Sequence, residues 1–336
     1  MKVLAPGKII LSGEHAVVHG RPALAMAVNR YVTATVTPHF LPMISFDLSD
    51  LAYQNGVSFS ALQQLKKRIK RKYQCFLQGD FKIRDVLSKP VELAQFALTL
   101  FFDMLNVKLT QGMKISVKSD IPIGCGMGSS AATVLGVARA IAHHLHIELS
   151  PDTFFQLGLE AENMQHGFSS GLDLKVSLHG GCIYIDNNTL NLRNIPELPM
   201  YLVNTGSPLS STGECVAAAA SYFNRTQIGD DFAAITQAMD LALQNNKITQ
   251  VADAIRMNHQ LLVKIGVVPE RVQQFIQEIE LSGGAAKICG AGSIAGNQAG
   301  VVLVVVEDEA LLQTLCGRYQ YSLVPIRGEP RGVHVI

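Results

Sequence analysis

The chain has 336 residues, of which 48% are hydrophobic and 16% are charged. A single core usually stops growing below this length, so we expect two domains. The composition excludes a disordered chain. The 28 basic and 27 acidic side chains leave a formal net charge of +1, which gives no global field that favours nucleic acid or a membrane surface as a partner.

The cysteines and the apolar runs bear on the cellular compartment. The six cysteines are scattered and form no C-x-x-C pair, so we expect reduced thiols rather than a disulfide framework or a zinc site. The apolar start of the chain is broken at Pro6, too early for a signal-peptide core. The longest aliphatic run, residues 301–306, suits a buried strand rather than a membrane span. These features predict a soluble, cytoplasmic protein.

The first 120 residues are predicted to contain strands and two helices. Residues 22–38 are rich in Ala, Val and Thr and predict one long strand or a hairpin arm. Residues 61–73 predict a helix with six basic side chains, which form either a solvated face or a rim that attracts phosphate. Apolar spacing predicts a second helix over 91–105, and the alternation of Met113, Ile115 and Val117 predicts a strand.

Beyond this strand, helices dominate the pattern. An alanine-rich segment predicts a buried helix from Ser129 to about His146. Ser150 and Pro151 are an N-cap and a first helical residue, and they predict a helix to about Gln165. A domain boundary is placed between residues 186 and 187, where Asp186-Asn-Asn interrupts the pattern. After it we expect strands at 201–204, 301–306 and 321–327, and helices near 213–224, 230–245, 248–265, 269–281 and 308–318.

The most informative stretch is Gly124-Cys-Gly-Met-Gly-Ser-Ser-Ala-Ala. Glycines at alternate positions can adopt positive φ, and their amides, followed by a helix N-terminus, can form a nest of donors for a phosphate. The stretch is neither a Walker A loop, because no Gly-Lys-[Ser/Thr] follows, nor a dinucleotide fingerprint, because Ser129 replaces the third glycine. A tight turn without a ligand stays an alternative.

Charged residues occur in two other unusual settings. Lys8, Glu14 and His15 lie among glycines and apolar residues, so they are either used in a site or paired, with a Lys8–Glu14 salt bridge as the plain alternative. Glu162 ends a helix and Asp173 follows a Ser-Gly turn, so the two carboxylates can converge on Mg²⁺ or can be solvated loop acids. A further glycine-rich segment, residues 287–296, serves either scaffolding or binding.

Taken in order, three of these stretches resemble the GHMP kinase superfamily, and within it the mevalonate kinases. They are Pro-Gly-Lys…Gly-Glu-His-Ala-Val-Val-His-Gly, Pro122-Ile-Gly-Cys-Gly-Met-Gly-Ser-Ser-Ala-Ala and Glu162…His166-Gly…Ser-Gly171-Leu-Asp173. A weaker similarity lies at Asn204-Thr205…Pro208…Ser211-Thr212. The resemblance spans nearly the whole chain.

The resemblance implies a role for each matched residue. ATP phosphates would be bound by Gly124, Gly126, Gly128, Ser129 and Ser130, and Mg²⁺ by Ser130 and Glu162. Asp173 would accept the proton of the attacking hydroxyl, and Lys8 would keep Asp173 ionised and stabilise the transferring phosphoryl group. Glu14, His15 and Thr212 would contact the acceptor, which would be mevalonate.

The resemblance also implies an α+β, two-domain GHMP kinase fold. Residues 1–186 would form an ATP-binding domain like the second domain of ribosomal protein S5, and residues 187–336 a ferredoxin-like domain. A homodimer is allowed by the family alone. Ser293-Ile-Ala departs from the glycine run that the family usually has there, which leaves acceptor fit and regulation open. The alternatives are another GHMP kinase, acting on phosphomevalonate, homoserine or a sugar, and a non-catalytic ligand-binding regulator with the same fold.

Overall fold

The computed structural model describes residues 1–106, 111–187, 189–225 and 227–336. Its strands are β1 (Lys2–Ser12), β2 (Ala23–His39), β3 (Ile44–Leu48), β4 (Tyr53–Val57), β5 (Gly112–Ser119), β6 (Cys182–Asp186), β7 (Thr189–Arg193), β8 (Met200–Asn204), β9 (Ala285–Ile288), β10 (Val301–Val305), β11 (Ser322–Ile326) and β12 (His334–Val335). Its helices are α1 (Phe59–Leu77), α2 (Val91–Leu105), α3 (Ser129–His144), α4 (Pro151–His166), α5 (Leu172–His179), α6 (Thr212–Arg225), α7 (Ile228–Gln244), α8 (Ile248–Lys264), α9 (Glu270–Leu281) and α10 (Glu309–Tyr319).

The larger sheet is built around β2. Its strand order is β12-β1-β2-β5-β3-β4, and β6 pairs with the start of β2 and carries β7. All pairs are antiparallel except β3 with β5. Helices α3 and α5 pack on β1 and β2, and α2 and α4 pack against α3.

Small side chains bring α3 close to the sheet. A Cβ atom at Gly136 would already contact Ala5 and Ala34 at ordinary van der Waals distance. A residue larger than glycine or alanine would therefore not fit between α3 and the strands at this position. Apolar residues along α3, among them Val134, Leu135 and Ile141, are buried. The glycine loop before α3 is therefore fixed between a central strand and a buried helix.

The second sheet has the order β11-β8-β10-β9 and is antiparallel throughout. Numbered from β8, this is the order 4-1-3-2 of a ferredoxin-like unit, with α6 to α9 inserted between its first two strands. The chain then returns to the larger sheet, where β12 pairs with β1. The predicted α+β class is confirmed.

Most predicted elements are present. The long strand is β2, and Ser150 caps α4 by accepting a hydrogen bond from the amide of Thr153, with Pro151 as the first helical residue. The sequence analysis did not predict β3, β4, β7, β9, β12 or α5. The boundary between residues 186 and 187 stays a prediction: β7, which follows it, belongs to the larger sheet, and Asn188 lies outside the described residues.

Three of the six basic side chains of α1 form ion pairs with neighbouring helices, and the choice between a solvated face and a rim that attracts phosphate stays a prediction. Lys66 binds Asp103, Arg68 binds Glu92 at 2.6 Å, and Lys70 binds Glu160 at 2.8 Å. These carboxylates belong to α2 and α4, so the basic residues attach α1 to its neighbours. Within the four described segments, no helix is both long and apolar enough to cross a membrane.

Candidate active site

Lys8 and Asp173 form an ion pair at the centre of the site. Lys8 Nζ lies 3.0 Å from Asp173 Oδ1 and donates a hydrogen bond to the carbonyl oxygen of Gly126 at 3.0 Å. Lys8 is buried on β1, whereas Asp173, the second residue of α5, keeps 30% of its side chain exposed. The alternative of a Lys8–Glu14 salt bridge is therefore wrong, because the partner of Lys8 is Asp173 on α5.

The glycine loop has the backbone that its spacing predicts. Gly124, Gly126 and Gly128 have φ angles of 72°, 85° and 70°. A Cβ atom at Gly128 would lie 3.1 Å from Lys8 Cγ and 3.3 Å from Asp173 Oδ2, so this glycine lets the loop approach the ion pair. The backbone of the loop therefore lies directly beside the side chains of Lys8 and Asp173.

Ser129 and Ser130 begin α3 directly after this loop. The first amides of a helix have no partner within the helix, so the loop and the start of α3 present donors to the same space. Ser130 Oγ lies 3.2 Å from Nε2 of His166 at the end of α4. The hydroxyl of Ser130 therefore points toward the helix that carries Glu162.

Glu162 is a buried acid of the site with a raised pKa. It is 2% exposed, and its Oε1 has no hydrogen-bond partner among the described residues. Burial, and then the charge of Asp173, raises the pKa of Glu162 to about 8. A carboxylate in such a setting is strongly stabilised by a cation. The alternative of two solvated loop acids is wrong for Glu162.

Glu14 and His15 lie on the loop after β1. The carboxylate of Glu14 is fully buried and binds Lys287 on β9 and Asn258 on α8. His15 Nε2 lies 3.0 Å from the carbonyl oxygen of Ala291, and its backbone has the positive φ of 59° that is rare outside glycine. Burial is the main reason that the pKa of His15 falls to about 4, so its ring is neutral at pH 7.

A cavity of about 1050 Å³ joins these residues. Its walls include Lys8, Asp173 and Glu162, the 14–21 loop, and the start of α6, where Thr212 is exposed. A smaller cavity of about 350 Å³ adjoins it, between Gly124, Gly126 and residues 208–213. The larger cavity has room for a nucleotide and a small acceptor together.

Comparisons with known proteins agree with this geometry. Residues 92–181, which include the glycine loop, Glu162 and Asp173, match the family described as GHMP kinases N terminal domain. The chain is 30% identical to the mevalonate kinase of Pyrococcus furiosus over 87% of each chain, and 31% identical to that of Thermococcus sibiricus over the same shares. The crystal structure of the Methanococcus jannaschii mevalonate kinase superposes with a TM-score of 0.82, at 25% identity, over 98% of each chain. The chain belongs to the GHMP kinase family.

The site of this GHMP kinase offers few side-chain ligands to a metal ion such as Mg²⁺. No cluster of three or more His, Cys, Asp or Glu side chains that could hold a metal occurs in the described segments. Mg²⁺ is usually held by one or two protein oxygens together with substrate phosphates. Glu162 Oε1, which is buried without a partner, and Ser130 Oγ supply such a pair, so these residues fit the ion.

Two features of this site were not predicted from the sequence. Lys287 was not recognised as the partner of Glu14, although it is a single lysine between Ala285, Ala286 and Ile288, where a charge needs a buried partner. His166 belongs to the third motif, but no role was predicted for it. In the structure it contacts Ser130 and lies 3.7 Å from Glu162.

Proposed function

We propose that this chain is a mevalonate kinase, which transfers the terminal phosphoryl group of ATP to the 5-hydroxyl of mevalonate and gives 5-phosphomevalonate for isoprenoid precursor synthesis. The observation that carries the proposal is the Lys8–Asp173 ion pair, 3.0 Å long, beside the glycine loop and facing a cavity. The two relatives named mevalonate kinase, at 30% and 31% identity, support the choice of acceptor.

Phosphoryl transfer needs positioning and charge stabilisation more than covalent help from the protein. Gly124, Gly126, Gly128, Ser129 and Ser130 bind the nucleotide phosphates through amides and hydroxyls. Asp173 orients the acceptor hydroxyl and takes its proton while the oxygen attacks the terminal phosphorus. The bond from that phosphorus to the bridging oxygen breaks, and ADP leaves. Lys8 pairs with the Asp173 carboxylate and stabilises the negative charge on the transferring group.

Ser130 and Glu162 are the proposed ligands of Mg²⁺. When bound, the ion neutralises charge on the phosphate oxygens and holds the nucleotide in one orientation. Glu162 is suited to this role because its buried carboxylate needs a positive partner.

Acceptor contacts are assigned to His15, Thr212 and the Glu14 loop. His15 and Thr212 both line the larger cavity, one on the loop after β1 and one at the start of α6. Glu14 supports the loop that carries His15 and does not contact the acceptor itself, since both of its carboxylate oxygens are bound by protein groups. A regulator without activity would not need the lysine, the aspartate and the buried glutamate that converge here.

Phosphorylated product formation by the purified protein tests the proposal. Reactions with ATP and Mg²⁺ contain mevalonate, phosphomevalonate, galactose, homoserine or no acceptor, and mass spectrometry identifies the product. We expect 5-phosphomevalonate and ADP in equal amounts with mevalonate alone. Product from another acceptor would move the chain to another GHMP kinase activity. Nucleotide binding without product from any acceptor would support the regulator. A cytoplasmic location and a homodimer stay predictions, the latter testable by light scattering.

A further inference from the structure

Lys287 and Glu14 form an ion pair that is closed to solvent. Both side chains are 0% exposed. Lys287 Nζ donates to Glu14 Oε1, to the carbonyl oxygen of Ile10 at 2.8 Å and to that of Ile288 at 2.9 Å. These three contacts use all three protons of the ammonium group.

The second oxygen of Glu14 extends the pair into a network. Asn258 Nδ2 donates to Glu14 Oε2 at 3.0 Å, and Ser12 Oγ donates to Asn258 Oδ1 at 3.3 Å. Ser12 Oγ also lies 2.7 Å from Thr236 Oγ1 on α7. The network therefore connects β1 of the larger sheet with α7, α8 and β9, and each of these side chains is buried.

Both members of the pair stand next to site loops. Glu14 directly precedes His15, whose ring contacts the carbonyl oxygen of Ala291 at 3.0 Å. Lys287 precedes the loop 289–292, and Gly290 of that loop packs so closely on Gly126 that a Cβ atom would lie 2.9 Å from Gly126 Cα. The ion pair thus joins the bases of two loops whose tips touch each other and the phosphate-binding glycines.

We propose that Lys287 is a positioning residue for phosphoryl transfer, which through Glu14 fixes the acceptor-side loop 13–20 against the loop 289–292. The proposal rests on the proposed function for its kinetic consequences. The backbone of His15 supports it, because a non-glycine residue at φ 59° persists only where its surroundings hold it.

A positioning role can be separated from a stabilising one. Breaking a buried pair leaves an uncompensated charge, whereas replacing both partners by apolar side chains of similar volume is often neutral for stability. Lys287→Met and Glu14→Leu should therefore each lower Tm, by roughly 5–10 °C in a chain of this size. The double variant should regain most of that Tm.

The experiment compares these three variants with the parent chain in kinetics and in hydrogen exchange. We expect kcat/KM for the acceptor to fall at least tenfold in all three, including the double variant with its restored Tm. ATP affinity, measured by direct binding, should change less than kcat/KM. Amides in 13–20 and 288–294 should exchange faster in the same three variants.

The ion pair of Arg193 and Asp240 provides a matched control. It is mostly buried, has contacts of 2.6 and 2.9 Å, and joins β7 to α7 without lining either described cavity. Asp240→Asn should lower Tm and leave kcat/KM and the exchange of both loops unchanged.

The proposal is overturned if the double variant regains parental kcat/KM together with Tm, or if exchange in the two loops matches that of the parent. If the parent phosphorylates no acceptor, the proposed function fails, and the exchange data alone then decide whether the ion pair fixes the loops.

Discussion

Asp173 is the side chain on which the proposed reaction depends most directly. Asp173→Asn keeps the shape of the residue but removes the proton acceptor and the charge that faces Lys8 at 3.0 Å. Turnover should fall by roughly two to four orders of magnitude, while nucleotide binding persists. Steady-state kinetics with calorimetric titration of an ATP analogue measures both quantities.

Asp103→Asn is the matched control for Asp173→Asn, because Asp103 also pairs with a lysine, Lys66, but on the exposed surface of α2. Its turnover should equal that of the parent. Parental turnover in Asp173→Asn would remove Asp173 from the reaction.

Glu162 should set the Mg²⁺ dependence of the reaction. Glu162→Gln takes away the charge of the buried carboxylate, whose Oε1 has no hydrogen-bond partner among the described residues, and the Mg²⁺ concentration at half-maximal rate should rise at least about tenfold. Glu160→Gln, two residues away on the same helix but paired with Lys70 at the surface, should not change the titration. Identical Mg²⁺ curves for both variants would place the ligand elsewhere.

His259 should make the fold sensitive to acid. Burial, and then the charge of Lys287, lowers the pKa of His259 from 6.5 to about 4. The folded state therefore binds this proton less tightly than the unfolded state, so stability is complete above pH 6.5 and is lost as pH falls from 6.5 to 4. Since one pKa unit corresponds to about 1.4 kcal/mol, this lowering corresponds to a few kcal/mol of stability.

Chemical denaturation between pH 7 and pH 4 measures this effect. His259→Gln has no proton to bind in this range, so its free energy of unfolding should fall with pH less steeply than that of the parent. His146→Asn, which removes an exposed histidine, serves as the control. Parallel pH profiles for the parent and His259→Gln would contradict the argument.

Among the elements, the glycine loop owes its position to contact with the loop 289–292. A Cβ atom at Gly126 would lie 2.2 Å from the carbonyl oxygen of Cys289, whereas one at Gly124 would meet nothing within 4 Å. Both glycines have positive φ, so Gly124→Ala and Gly126→Ala share a similar backbone strain, about 1–2 kcal/mol. Gly126→Ala should lose more stability, because it must also separate two backbones.

Urea unfolding measures the free energy of unfolding of both alanine variants. The difference between the two values gives the cost of the contact between the added methyl group at residue 126 and the carbonyl oxygen of Cys289. Equal losses would mean that the two loops separate at no cost. The KM for ATP should rise in Gly126→Ala, since the displaced loop carries the amides that are proposed to bind phosphate.

Local signals predicted the elements that begin or end with a distinctive residue. Ser150 and Pro151 predicted the start of α4, and alternating glycines predicted the positive φ angles before α3. Helix α5 was missed because it has only eight residues and begins after Gly171 without a side-chain cap. Strand β3 pairs with the distant strand β5, and β9 is an edge strand of four residues paired only with β10, so periodicity over four or five residues does not reveal either strand.

Contacts between distant parts of the chain were beyond the sequence signals. Lys8 could be recognised as a charge that needs a partner, but Asp173 and Glu14 were both available to it. The true partner of Glu14, Lys287, lies 273 residues away. Such choices are decided by tertiary packing, which brings Lys287 of β9 to Glu14 and to the carbonyl oxygen of Ile10, and which packs α5 on β1.

The whole molecule is held together by a return of the chain to its first sheet. After β11, Glu329 accepts a hydrogen bond from Tyr31, its amide bonds the carbonyl oxygen of Ala27, and β12 pairs with β1. Between these points, the amide of Val333 donates to the carbonyl oxygen of Ser177 on α5 at 2.9 Å. The returning segment therefore packs on α5, the helix whose second residue is Asp173.

Gly332 allows this contact, since a Cβ atom there would lie 1.9 Å from the carbonyl oxygen of Leu178. Gly332→Ala should push the segment off α5, lower Tm and raise hydrogen exchange in 173–180, and turnover should fall because Asp173 loses its fixed place. Gly317→Ala adds the same methyl group where nothing lies within 4 Å, in helix α10, and should stabilise the chain by up to about 1 kcal/mol. If Gly332→Ala keeps parental exchange in α5, the end of the chain does not support the site, and the helix is held by the first sheet alone.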